Sequence, residues 1–206
     1  MTDYSELWQH AAPYLDTRAN DVHVALSFDL ARQLLEYYPQ ADPDVVLPAV
    51  ILHDVGWKLI PEDQHLLAFG PNMQNADLRR RHEIEGARIA GEILAGVGYD
   101  PARSAQIVAI IEGHDSRPTA LSLDDKLLKD ADKLWRFTRT GLEIDHRRFG
   151  IPLPDYVQWI EQQITGWMFT PEAAQLARRL LAASRGGDGG QGTGDRSPGI
   201  PMPGNR

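Results

Sequence analysis

The sequence predicts an all-α fold, a compact helical bundle followed by a tail without regular structure, and three observations carry that expectation. At Asp42-Pro43, Asp100-Pro101 and Thr170-Pro171-Glu172 a side-chain acceptor precedes a proline. That order opens a helix, because the first turn has no use for the donor that proline lacks. Apolar residues recur at helical spacing through most of the chain, and convincing alternating strand patterns are absent.

Taken in order, the patterns place helices at about residues 3–15, 21–38, 43–54, 79–96, 101–114, 123–139, 154–167 and 171–184. The third is the ambiguous one, since the β-branched run Val45 to Leu52 also suits a buried strand, and its all-helical setting favours helix. The fourth carries His82 on one face with Gly86, Ile89 and Ile93, where the glycine lets another element approach closely. In the fifth, His114 follows Ile107 and Ile110 onto the inward face, and in the sixth Leu128 and Trp135 put Asp132 on an apolar face. The stretch Pro61 to Ala76, with Gly70-Pro71-Asn72, is expected to be an irregular loop able to form part of a lid.

The 206 residues, 42% of them hydrophobic, suffice for one core, so residues 1–185 are expected to form a single domain. Residues 186–206 are rich in Gly, Pro, Asp, Ser and Gln, which cannot offset their ordering entropy by burial, and they predict a disordered tail. No apolar stretch is long enough for a bilayer, and the start Met1-Thr2-Asp3-Tyr4-Ser5-Glu6 lacks the order of a signal peptide, so a soluble cytoplasmic protein without a membrane partner is expected. With no cysteine, imidazole and carboxylate are the metal-binding chemistry that remains. A net charge of -8 disfavours a nucleic-acid polymer as partner but leaves room for a small phosphorylated molecule, because bound cations reverse the local field.

Candidate metal ligands run along the chain as His23, the adjacent pair His53-Asp54, His82, His114 and Asp132. The pair is the most informative. It ends the apolar run Ala49-Val50-Ile51-Leu52, where an unpartnered carboxylate would cost several kcal/mol, a penalty that a cation removes. One inward histidine is more often a hydrogen-bonded core residue; the whole order is what points to metal. His10, His65 and His146 fall outside that order and are read as surface residues.

This order, H…HD…H…H…D, closed by Asp130-Ala131-Asp132-Lys133-Leu134, resembles the HD superfamily of metal-dependent phosphohydrolases from about Val22 to Leu134. The resemblance implies a primary metal on His23, His53, Asp54 and Asp132. It implies that His82 and His114 complete a second site with Asp54 as the bridge. One or two divalent ions are expected, with Mn, Mg, Fe, Zn, Co and Ni not distinguished by these ligands. Asp132 is preferred over Asp130 as the closing ligand, Asp130 being able to orient a histidine instead. Among the cations Arg18, Lys58, Arg81, Lys133 and Arg136, the placing of Lys58 after Asp54 and of Arg81 before His82 favours these two for phosphate contact, with Asp54 catalytic.

The resemblance implies hydrolysis of a phosphate ester or anhydride of a small molecule, such as a nucleotide, by metal-activated water. Two alternatives stay open: an HD-type diiron oxygenase, although its members have a longer gap before the last aspartate, and a non-catalytic metabolite-binding module. The cyclic dinucleotide branch carries a Gly-Tyr-Pro signature and the stringent-response branch an E-D pair after HD; Gly70-Pro71 and Val55-Gly56-Trp57-Lys58-Leu59 match neither. The oligomeric state is left open.

Overall fold

The computed structural model of the chain describes residues 2–71 and 73–186. Among them are ten α-helices and no strand: α1 (Ser5–Leu15), α2 (Asn20–Leu35), α3 (Pro43–Leu52), α4 (His65–Ala68), α5 (Ala76–Gly96), α6 (Pro101–Ile111), α7 (Leu123–Leu134), α8 (Arg139–Arg148), α9 (Leu153–Trp167) and α10 (Pro171–Gly186). Short 3-10 turns cover Val55–Leu59, Glu62–Gln64 and Trp135–Phe137. The tail expected over 186–206 lies outside the described residues apart from Gly186, which closes α10. No helix among the described residues is long and apolar enough to cross a membrane.

The middle of the molecule is α3. Every residue from Val45 to Leu52 is buried, with α1, α2, α6 and α7 packed around it. A helix enclosed on all sides needs no polar face, so its sequence reads as a continuous apolar run and resembles a strand. Pro48 sits inside this helix and cannot donate to the carbonyl of Asp44. The Tyr99 hydroxyl donates to that carbonyl at 2.7 Å and fills the gap. The cap at Asp42 forms as the sequence predicts, its carboxylate accepting from the Asp44 amide, and Asp100 caps α6 through the Arg103 amide.

Backbone packs on backbone where the turn Val55–Leu59 crosses α5. A Cβ on Gly56 would lie 2.0 Å from the His82 carbonyl, and a Cβ on Gly86 would lie 3.3 Å from the His53 carbonyl. These two glycines let the His53-Asp54 corner approach His82 closely, as the sequence expects of Gly86.

Two parts of the fold depart from expectation. Residues 139–148 form α8, capped by Thr138 accepting from the Gly141 amide; its polar sequence hides only two buried anchors besides the glycine, Leu142 and Asp145. The stretch Pro61 to Ala76 holds a 3-10 turn and α4 rather than an irregular loop throughout. His65 in α4 is buried, not a surface residue, because its Nε2 bonds the Ile60 carbonyl at 2.8 Å and its ring meets the Trp57 ring edge-on. His10 is exposed, and His146 is partly buried with Nδ1 bonded to the Ile151 carbonyl.

Candidate metal centre

Five helices deliver one side chain group each to a common point: His23 from α2, His53-Asp54 from the end of α3, His82 from α5, His114 from the turn after α6, and Asp132 from α7. All six side chains belong to residues no more than 5% exposed. His23 and His53 face each other with Nε2 atoms 2.9 Å apart, and the Nε2 atoms of His82 and His114 are 3.3 Å apart. Asp132 Oδ1 lies 3.4 Å from His23 Nε2 and 3.6 Å from His53 Nε2. Asp54 looks both ways: Oδ2 is 3.4 Å from His23, while Oδ1 is 3.6 Å from His114 and 3.9 Å from His82.

Local bonds set which nitrogen of each ring points inward. His53 Nδ1 donates to the Val50 carbonyl at 2.7 Å and His114 Nδ1 to the Ile111 carbonyl at 2.9 Å, which leaves both Nε2 atoms aimed at the cluster. Trp57 stacks on His82 at 4.0 Å and donates its indole N–H to Asp54 Oδ1 at 3.0 Å. Facing ring nitrogens among buried carboxylates, with His82 Nδ1 left without a partner, form a donor set that fits divalent cations. Three overlapping groups can each hold an ion: His23, His53 and Asp132; His53, Asp54 and His114; His82, His114 and Asp115.

Charge states follow from the same packing. Burial alone would raise the Asp54 carboxyl, but the charge of His53 and its interactions with His114 and His23 hold it well below the usual range. Asp132, likewise buried, is held low by Lys133, 2.6 Å away, and by His53. Burial and the neighbouring His114 push His82 down to about 3. Burial opposes charge on His114 too, yet Asp54 and Asp115 raise it to about 9.

The sequence-predicted ligands are thus together, whereas the two favoured cations are not. Lys58 is exposed and pairs with Asp16 at 2.5 Å, and Arg81 is exposed; neither lines the cavities over the cluster. Position beside a ligand in sequence fails here because the chain turns at Asp54 and α5 directs Arg81 outward. Lys133 touches the cluster through Asp132, and Arg18, Arg136 and Arg148 line the cavity over His23, Asp54 and Asp132. Arg18 has positive φ (57°) together with Ala19 (56°), a costly backbone for residues with a Cβ. Its guanidinium lies over Trp57 at 3.9 Å and Phe69 at 4.1 Å, and Nη1 is 3.7 Å from Asp54 Oδ2. Burial lowers Arg18 to about 10, so it stays charged at neutral pH. Arg136 and Arg148 are both held by the buried Asp145 of α8, which also accepts from the Tyr156 hydroxyl at 3.1 Å.

Asp115 is the carboxylate that the ligand order left out. It lies 3.9 Å from His82 Nε2 and pairs with Lys133 at 2.5 Å; its signal in the sequence is the second His-Asp pair, His114-Asp115. The turn that carries it is clasped from two sides. Buried Glu83 accepts from the Asp115 and Ser116 amides at 2.8 and 2.7 Å, and Lys129 donates to the Gly113 and His114 carbonyls at 2.7 Å. Asp130 points elsewhere, accepting from the Phe169 and Thr170 amides and the Thr170 hydroxyl at the start of α10. Burial pushes its carboxyl up to about 7.

A buried His-Asp cluster of this order on a helical bundle fits metal binding. The chain matches the HD domain family over residues 21–136, more than half its length, and belongs to that family. Its superfamily is metal-dependent and hydrolase-type. No curated protein and no solved structure matches the chain.

Proposed function

We propose that the protein is a metal-dependent phosphohydrolase acting on a phosphate ester or anhydride of a small molecule, and that His23, His53, Asp54, His82, His114 and Asp132 hold two divalent ions with Asp54 between them. The carrying observation is the placement of Asp54 between the two histidine pairs, Oδ2 facing His23 and Oδ1 facing His53, His114 and His82, beneath Arg18, Arg136 and Arg148. Ions held there supply the positive charge that acidifies a water and neutralises phosphoryl oxygens. The chain's own groups do the rest. Arg18, Arg136 and Arg148 take the outer phosphoryl oxygens, a task suited to guanidinium forks. Trp57 and Phe69 both hold the Arg18 guanidinium against their rings.

The test is metal analysis of the full chain purified without chelator, followed by a phosphate-release screen across nucleotides and sugar phosphates with each of Mn, Mg, Fe, Zn, Co and Ni. About two ions per chain and metal-dependent phosphate release are expected. Two irons with dioxygen uptake and no phosphate release would overturn the reading in favour of oxygenase chemistry.

A further inference from the structure

A cavity of about 580 Å³ opens directly beside the centre and includes His114, Asp115 and Lys133 in its wall. It is too large for a phosphoryl group alone and falls in the size range of small-molecule sites. Most cations in its wall are already engaged. Lys133 is paired with Asp115 and Asp132, Arg117 with Asp125, Lys129 donates to three backbone carbonyls, and Arg136 also lines the cavity over the metal centre, where the reacting group is placed. Arg79, in the first turn of α5, is different: no hydrogen bond or ion pair engages it among the described residues, and its Nε is shut off from solvent without a partner. Its neighbour Arg80 shows the usual outcome on the same helix, bonded to Glu83 and Glu112. A guanidinium that borders this cavity with no carboxylate partner among the described residues can take an anion there.

We propose that Arg79 is a specificity-determining residue that binds a second anionic group, phosphate or carboxylate, on a substrate whose reacting phosphoryl group sits at the metal centre. This rests on the phosphohydrolase reading for the identity of the group at the centre. Substrates with one anion only would use the inner end of the cavity and leave Arg79 unmet.

The experiment is calorimetric binding to the metal-loaded full chain, using phosphonates because they cannot be hydrolysed. Propylphosphonate offers one anion; alkane bisphosphonates and ω-carboxyalkylphosphonates of increasing spacer length offer two, and comparing the last two series separates phosphate from carboxylate recognition. One spacer length is expected to bind roughly tenfold or more tightly than propylphosphonate, the scale of a charge-assisted bidentate contact. Arg79→Gln should abolish that preference, weakening the bis-anion far more than the mono-anion, and Arg79→Lys should restore part of it, with metal content and melting temperature unchanged. Equal affinity for one and two anions at every spacer length, equal weakening of both by Arg79→Gln, or no binding of either probe at millimolar concentration overturns the proposal. A clear bis-anion preference without hydrolysis of any phosphate ester would sink the phosphohydrolase reading and leave Arg79's role standing; hydrolysis without that preference would do the reverse.

Discussion

The floor of the centre and its cationic wall are held in place by different means. On the floor, His53 and His114 are oriented by carbonyls of the helices that carry them, and Gly56 and Gly86 bring whole backbones together behind His82. In the wall, Arg136 and Arg148 depend on one carboxylate of α8, Asp145, and Arg18 on the faces of Trp57 and Phe69. The floor lies wholly inside the family match, while Arg18 and Arg148 lie outside it. Backbone-anchored groups tolerate little variation, whereas side chains held by side chains can be exchanged one at a time. On the proposed phosphohydrolase reading, the difference would place chemistry on the floor and affinity for a particular anion in the wall.

The sharpest way to break that division is Asp54→Ala, expected to remove metal and activity together, because Asp54 alone faces both histidine groups. Full metal content with turnover would erase the distinction between floor and wall. Replacing both His82 and His114 by Ala should lower metal per chain by about one while the protein stays folded, and activity should fall steeply as one of two charges on the water is lost. Mass spectrometry beside thermal unfolding checks it; unchanged stoichiometry in a folded protein would make these histidines core residues only.

Asp145→Asn tests the wall. Arg136 and Arg148 lose their common anion, so KM should rise roughly tenfold with metal content kept, the signature of a lost substrate contact. Loss of metal instead would show that wall and floor are one unit. Smallest of all, Lys58→Ala and Arg81→Ala should leave KM, kcat and metal content within error, since both side chains are exposed and Lys58 has only a surface pair with Asp16.

The floor was legible in the sequence because each ligand lies on an apolar helical face, and a polar residue on such a face stands out against its neighbours. His114 after Ile107 and Ile110 is such a case, and the helix starts at Asp42-Pro43 and Asp100-Pro101 were read from local capping chemistry. The wall was not legible, because nothing adjacent in sequence joins Arg18 to Trp57 and Phe69, or Arg136 to Asp145. Helix α8 was hidden for a related reason: Leu142 and Asp145 are its buried anchors beside Gly141, and one of the two is charged. Lys58 and Arg81 illustrate the converse error, in which nearness along the chain stood in for nearness in space. Asp115 lay in plain view as half of a second His-Asp pair, but only the turn clasped by Glu83 and Lys129 brings it beside His82.

The hydroxyl of Tyr99 replaces, from a distant loop, the donor that Pro48 withholds from the carbonyl of Asp44. The two positions are therefore epistatic. With alanine at position 48 the helix would supply its own amide and the hydroxyl would be dispensable; with proline there, Tyr99→Phe takes the side-chain donor from the partly buried Asp44 carbonyl of the innermost helix, the one that ends in His53 and Asp54. The order of historical substitutions is constrained accordingly: a lineage could gain the tyrosine first at little cost, but one that gained the proline first would have passed through a weakened support for its own metal ligands.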